Sequence, residues 1–415
     1  MEQDVDVAVV GAGAAGLFAA IWAGRTAPQA RVVALDGARR LGAKILVAGG
    51  GRCNVTHDTV DASAYAGSSQ NAIRKVLLRF DVPETVAFFR KLGVELKREE
   101  TGKLFPVTDD ARSVLHALLQ EASDAGARLL HPNRVRAIRR EDGGFCVSGD
   151  WGELRARRVI LATGGRSLPK SGSDGFGYEL AKSLGHTITP RVFPALVPLT
   201  LPQDHPLCRL SGIAVPATLE VRDSRGRRLI AMTGSTLLAH FGLSGPAVLD
   251  ISRYFIDARF DDPGATLVIN WLPDFTREQL ETGLLRTGKT TILRFLSALL
   301  PERLARSLSQ QAGVEPATRI DQLSRQKRRD LVTTLTEMPL PVTGNRGFTY
   351  AEVTAGGVPL SELKLDTMES RVCPGLYLCG ELCDVDGRIG GYNFQWAWSS
   401  GYVAGVAAAR SLTGD

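Results

Sequence analysis

The sequence predicts an α/β protein organised on a parallel sheet, with a second domain inserted along the chain. Three observations predict it. An apolar run of strand length, Val5 to Val10, leads into Gly11, Gly13 and Gly16 in G-x-G-x-x-G spacing. A second strand, Arg31 to Leu35, ends at Asp36, twenty residues beyond Gly16. Further along the chain, two more apolar strands end in glycine turns, at Thr163-Gly164-Gly165 and at Gly380-Glu381. Strand, glycine turn, helix, strand and acid in this order define a Rossmann-type unit. The expected bounds are 1–195 and 342–415 for its two parts and 196–341 for the insert.

Each residue of the first motif has a physical task. Gly11 permits the tight turn, Gly13 lets the backbone approach a pyrophosphate, and Gly16 lets helix and strand pack closely. Ala14 and Ala15 open the helix, whose N-terminal N–H groups favour an anion. Asp36 is placed to take ribose hydroxyls. The eighteen uncharged residues Val7 to Gly24 also have the length of a membrane span. The acidic start (Glu2, Asp4, Asp6) and the glycine spacing argue instead for a buried strand, turn and helix, with no signal peptide and no membrane segment.

The totals are those of a globular protein: 415 residues, 44% hydrophobic and 23% charged. A net charge of +6 permits an anionic partner such as RNA without requiring one. None of the six cysteines forms C-x-x-C, which fits reduced thiols in the cytoplasm. Cys379 and Cys383 have no histidine pair nearby, so no metal site is expected.

Taken in order, Gly49-Gly50-Gly51 forms a loop able to approach a flat ligand, followed by Arg52, Cys53 and Asn54. Gln70 to Gly93 reads as helical, Val94 to Phe105 as a hairpin turning at Thr101-Gly102, and Ala111 to Gly126 as an amphipathic helix. A meander follows, with strands at Val135–Arg139, Phe145–Ser148 and Arg155–Thr163. Its arginines are read as solvated outer faces, with an RNA contact as the sharper alternative. Prolines 190, 194, 198 and 202 mark a boundary. Within the insert, Ile213–Val221, Leu229–Met232 and Ala265–Asn270 read as strands, and Arg277 to Glu337 as mostly helical. Gly283 to Thr290 matches the P-loop pattern, but a polar helical stretch precedes it where a buried strand is required, so a nucleotide-triphosphate site is rejected. His240, before a Gly-Pro turn, is a candidate to face substrate. Thr343 to Gly357 is expected to return to the main sheet. A helix opening at Gly391 would aim its positive end at a bound ring.

These segments, GAGAAG, GGGRCNVTH, ATGG, HFGLSGPAVL, AEVTAGGV, TMESRVCPGLYLCGE and DVDGRIGGYNFQWAWSSG, resemble the BaiN/RdsA-like (YhiN-like, aminoacetone-oxidase-like) NAD(P)/FAD-dependent oxidoreductases from Val5 to Ala409. The resemblance implies FAD, a Rossmann-type domain split in sequence, and an inserted β-barrel-like plus helical domain. It implies FAD contacts from Gly11, Gly13, Ala14, Ala15, Gly16 and Asp36. Lys44, Gly51, Arg52, Cys53 and Asn54 match its second loop, and Val135 matches the strand that meets adenine. Thr163, Gly164, Gly165, Gly380, Glu381, Gly391, Asn393 and Phe394 match the remaining shell. His57 and Cys383 depart from the family pattern.

The reading is a reductase of an activated C=C bond in a small molecule, with NAD(P)H as transient reductant because no second nucleotide motif is visible. The neighbouring carbon needs a proton donor, for which Cys53, Tyr392 and His240 are candidates. The alternatives are an rRNA dihydrouridine synthase, an FAD-dependent amine oxidase and a non-enzymatic flavin sensor.

Overall fold

The computed structural model describes residues 4–413. The chain forms two compact units, Met1–Pro194 with Glu352–Asp415, and Ala195–Ala351. In the first unit, β1 (Asp4–Val10) lies between β2 (Val32–Leu35) and the strand Gly152–Leu161, parallel to both. Arg128–Leu130 extends the sheet beyond β2, and Leu376–Leu378 joins beyond Gly152–Leu161, both in parallel. β1 is buried from Val7 to Val10, as a strand covered by helices on both faces must be.

The strand Gly152–Leu161 serves two structures. Its first half pairs antiparallel with Gly144–Gly149, which in turn pairs with Ala137–Glu141. There burial alternates; from Val159 onward it is continuous. The change follows the passage from a one-sided meander to the covered parallel sheet. Val135 lies two residues before the strand Ala137–Glu141 rather than at its start.

The helix α1 (Ala14–Thr26) packs against the long helix Tyr392–Arg410. A Cβ on Gly401 would stand 2.6 Å from the Ala15 carbonyl oxygen, and one on Gly405 2.3 Å from that of Ala19. Two glycines four residues apart therefore set this close approach. The region read as one helix from Gln70 to Gly93 is two, Gln70–Leu77 and Val82–Lys91. Asp81 and Glu84 form a capping box that starts the second, with Pro83 in its first turn.

The second unit holds a seven-stranded antiparallel sheet. Its edge strands, Met338–Leu340 and Gly344–Asn345, are separated by only three residues. So short a link spans at most about 14 Å, which forces the sheet to curl back on itself as a barrel does. Gly344–Asn345 pairs with Leu199–Thr200 inside this unit, so the chain rejoins the first unit at Glu352, later than the expected 342. Gly283 lies within the helix Arg277–Thr287, which leaves no strand-to-loop cradle for a phosphate there.

Candidate active site

The site is built within the first unit, at the edge of the parallel sheet where β1, Gly152–Leu161 and Leu376–Leu378 end. Gly11 holds φ +98°, and a Cβ there would lie 2.5 Å from the Ala162 carbonyl oxygen. A Cβ on Gly16 would lie 1.8 Å from the Gly11 carbonyl oxygen. Gly13 differs: nothing of the protein stands within 4 Å of its missing Cβ. Two glycines are thus demanded by the fold, while the third leaves open space over the start of α1. The helix has no side-chain cap and no acid in its first turn, so its N–H groups face that space uncompensated.

Asp36 accepts from Ala12 N–H and Ala38 N–H, each at 2.7 Å, one on each carboxylate oxygen. A carboxylate has acceptor sites to spare for two hydroxyls. Its backbone is bonded to Leu130 and Asn133, which brings Arg134 against Gly37. Val135 follows directly and is buried.

The second loop breaks from the helix Ala43–Gly51 at Ala48, and Gly49 and Gly50 are left-handed at φ +58° and +71°. A Cβ on Gly50 would meet nothing within 4 Å. Lys44 donates to Ser167 Oγ at 2.6 Å and is ion-paired with Glu381. Glu381 also accepts from Ser167 Oγ at 2.8 Å and from Thr354 N–H at 3.0 Å. Thr354 Oγ1 in turn accepts from Arg166 N–H and Ser167 N–H. Four distant stretches of chain meet in this network, and sequence reasoning missed Ser167 and Thr354. Their only signal was adjacency, Ser167 two residues past Gly165 and Thr354 two before Gly356.

The last contribution is the start of Tyr392–Arg410. Gly391 holds φ +97°, and a Cβ there would run into the Thr56 backbone at 2.4 Å. This helix also lacks a side-chain cap and an acid in its first turn. Asn393 spends its amide on Gly387, accepting from its N–H at 2.8 Å and donating to its carbonyl at 2.9 Å. Phe394 stacks on Trp398, whose indole N–H donates to the Val55 carbonyl at 2.8 Å. Tyr392 stacks on His57 with ring centroids 5.0 Å apart. Gln395 is buried and bonded to Thr56 and Phe80.

Three expected residues sit differently from their assigned roles. Cys53 is wholly buried in the core, and burial pushes its thiol up to about 12. Burial and a raised pKa both disfavour Cys53 as the proton donor. Arg52 is committed to Glu99 at 2.6 Å and lies over the Phe105 ring at 4.0 Å. His240 belongs to the second unit, exposed and edge-on to Phe241 at 5.1 Å.

The buried polar atoms test whether FAD fits. Among the described residues, Asn54 Oδ1, Thr163 Oγ1 and Ser173 Oγ are buried without a hydrogen-bond partner. A Cβ on Gly164 would stand 2.7 Å from Ser173 Oγ, and one on Gly177 1.8 Å from Thr163 Oγ1, so these two loops touch. Native interiors rarely leave such groups unmet. A ligand rich in hydroxyl, amide and phosphate groups is what they lack.

A parallel sheet with two uncapped helix N-termini and glycine cradles at one edge defines the class: a Rossmann-type, FAD-binding oxidoreductase. Within it, the chain belongs to the HI0933-like protein Rossmann domain family, which matches residues 5–407. A 3-dehydro-bile acid delta(4,6)-reductase from Clostridium scindens is 37% identical over 97% of this chain and 99% of that protein. Ribosomal RNA dihydrouridine synthases from Escherichia coli and Haemophilus influenzae are 35% and 32% identical, over 98% and 99% of this chain and 99% and 100% of theirs. Two solved structures share the fold at a TM-score of 0.53. Escherichia coli quinol fumarate reductase FrdA is 17% identical over all of this chain and 72% of that one. The 3-ketosteroid delta1-dehydrogenase of Sterolibacterium denitrificans is 13% identical over 99% and 100%.

Proposed function

We propose that this chain reduces an activated carbon–carbon double bond, with FAD as resident cofactor and NAD(P)H as transient reductant. The observation that carries the proposal is the pair of uncapped helix N-termini, those of α1 and of Tyr392–Arg410, on two helices packed against each other within the first unit. One suits a pyrophosphate and the other the electron-rich end of a reduced ring. The 37% identical reductase supports the reaction type.

In this reading Gly11 to Gly16 receive the pyrophosphate, Asp36 the adenosine ribose and the backbone at Val135 the adenine. Gly50, Gly51 and Asn54 border the other half with Thr163, Gly164 and Gly391. Lys44 and Glu381 hold these loops together. Bound FAD supplies hydride to carbon. Tyr392, anchored by its backbone to the Tyr65 hydroxyl at 2.7 Å and by its ring to His57, delivers the proton to the neighbouring carbon. In this reading the reaction takes place in the cytoplasm. Among the described residues no helix is long and apolar enough to cross a membrane. A second reading, reduction of a uridine in ribosomal RNA, draws on the 35% and 32% identical synthases and uses the same chemistry.

The test is the visible flavin spectrum under anaerobic NADPH or NADH. Bleaching, followed by recolouring on addition of an enone or of unmodified ribosomal RNA, is expected and identifies the oxidant. A flavin that stays yellow with both nucleotides refutes NAD(P)H as reductant. Peroxide formed from an amine without nucleotide would make the protein an oxidase.

A further inference from the structure

A second feature lies at the opposite end of the helix Tyr392–Arg410. Its nineteen residues span about 27 Å, so whatever gathers around Arg410 stands far from the loops at Gly391. There a cavity of about 530 Å³ is lined by Arg79, Arg140, Arg157, Arg158 and Arg410. Its two lining carboxylates are already neutralised from outside: Asp366 pairs with Lys75 at 3.0 Å, and Glu369 with Lys364 at 2.7 Å. Arg158 donates to Ser411 Oγ and to the Ser411 carbonyl, Arg157 to the Leu412 carbonyl and Arg140 to the Pro374 carbonyl. Bonds to neutral oxygens fix these guanidinium groups in place without cancelling their charge. Asp6 lies 3.6 Å from Arg157 and also faces Arg31, and Glu369, already paired with Lys364, lies close enough to Arg158 for that charge to help hold its carboxyl below the ordinary value. Arg79 and Arg410 are exposed.

The cavity does not end there. A neighbouring one of about 730 Å³ shares Arg140 and Pro374 with it and adds Arg139, on the same strand Ala137–Glu141, and Arg136 just before it. Arg136 and Arg139 meet carboxylates only at the surface, Asp150 at 3.2 Å and Glu153 at 3.7 Å. The positive charge thus runs as a track through two joined hollows instead of converging on one point. A single small anion needs one convergent cluster, whereas a track of guanidinium groups fits charges repeated along a polymer. We propose that this arginine track binds the phosphate backbone of a nucleic acid, at a docking site separate from the site of reduction. The assignment does not depend on which double bond the enzyme reduces.

The experiment is fluorescence anisotropy of a labelled RNA hairpin titrated with the FAD-loaded protein across a salt series. Three proteins are compared: wild type, Arg79→Glu with Arg410→Glu, and a control with the same charge change, Arg294→Glu with Arg329→Glu. All four positions are exposed, and flavin content checks the fold of each protein. For the wild type, about four phosphates neutralised at ~0.7 each predict a log–log salt slope near −3. The track variant should bind at least tenfold more weakly with a slope near −1.5, while the control follows the wild type. No binding by the wild type, or equal loss in track variant and control, overturns the proposal. So does full competition by inorganic triphosphate at concentrations equal to those of RNA phosphate, which would assign a small-anion pocket instead. Flavin bleaching by NAD(P)H is read separately in all three proteins, so failure of the redox reading and failure of the docking site are distinguishable.

Discussion

Replacing Gly13 by Ala separates the fold from the cofactor. Gly13 has φ −78° and ψ −165°, which alanine adopts freely, and its Cβ would meet no protein atom within 4 Å. As the N-cap of α1 it loses about 0.5–1 kcal/mol when changed to Ala, because alanine is a poor cap. The same methyl group intrudes on the space assigned to the pyrophosphate. Overpacking a tight contact costs about 1–3 kcal/mol, or roughly five- to 150-fold in Kd for FAD. Gly16→Ala is the counterpart. Its Cβ would sit 1.8 Å from the Gly11 carbonyl oxygen, deep inside van der Waals contact, at a cost of ~4 kcal/mol or more in stability. The assay is urea unfolding of the flavin-free proteins beside FAD titration by fluorescence quenching. Gly13→Ala should keep its unfolding midpoint close to wild type and lose FAD affinity; Gly16→Ala should lose stability first. If Gly13→Ala binds FAD as wild type does, the pyrophosphate does not lie over this turn.

Four further outcomes are expected. Cys53→Ala should leave both half-reactions within about threefold of wild type in anaerobic stopped-flow, and lower stability by ~1–2 kcal/mol for the buried sulfur removed. Tyr392→Phe should slow reoxidation of the flavin by substrate by about 10²-fold while its reduction by NAD(P)H is unchanged; equal rates would remove the phenol from the mechanism. Glu381→Gln, which weakens the acceptor of three donors, should cost about 1–3 kcal/mol, and a double-mutant cycle with Lys44→Met should return ~1–2 kcal/mol of coupling. Burial pushes the Glu362 carboxyl up, but hydrogen bonds from Thr187 and His186 outweigh it and hold it below its ordinary 4.5. The stabilisation is therefore full above that value and is lost as pH falls through the lower folded one. Glu362→Gln should be less stable than wild type at pH 7, and in parallel urea melts the gap should narrow as pH falls below 4.5 and close beneath the lower folded value.

Sequence made the local part of this architecture legible. The spacing from Val5 to Asp36 contained strand, turn, helix and acid, because each is decided by neighbours along the chain. Strand ends were less secure: the antiparallel strand Arg228–Ala239 is far longer than its apolar stretch Leu229–Met232, since alternating exposed positions hide it. The helix break at 78–81 was in fact written in Asp81, Pro83 and Glu84, a capping signal masked by continuous apolar periodicity. What sequence could not contain was who meets whom across hundreds of residues. Lys44 and Glu381 were each assigned to the cofactor, yet they hold one another. Cys53 was a candidate donor by type, and its complete burial, which speaks against that role, is invisible in the sequence. The partners of Arg52, Glu99 and Phe105, are likewise invisible in the sequence.

The split of the nucleotide-binding unit is also a physical arrangement. The chain leaves it after Thr189 and returns before Gly357, and these two residues are bonded to each other twice, from Thr189 N–H to the Gly357 carbonyl and from Gly357 N–H to Thr189 Oγ1. A Cβ on Gly356 would stand 2.1 Å from the Arg191 carbonyl oxygen, so exit and re-entry run side by side. An excursion whose ends are already together adds to the closure entropy only with the logarithm of its length. The insert could therefore grow to a unit with its own core without disturbing the sheet edge. The consequence falls on the site rather than on the insert. Half of its loops precede the excursion and half follow it. They are brought together by the packing of α1 on Tyr392–Arg410, which Gly401 and Gly405 permit. FAD affinity is for this reason a property of both ends of the chain, and no fragment ending before residue 352 carries the complete site.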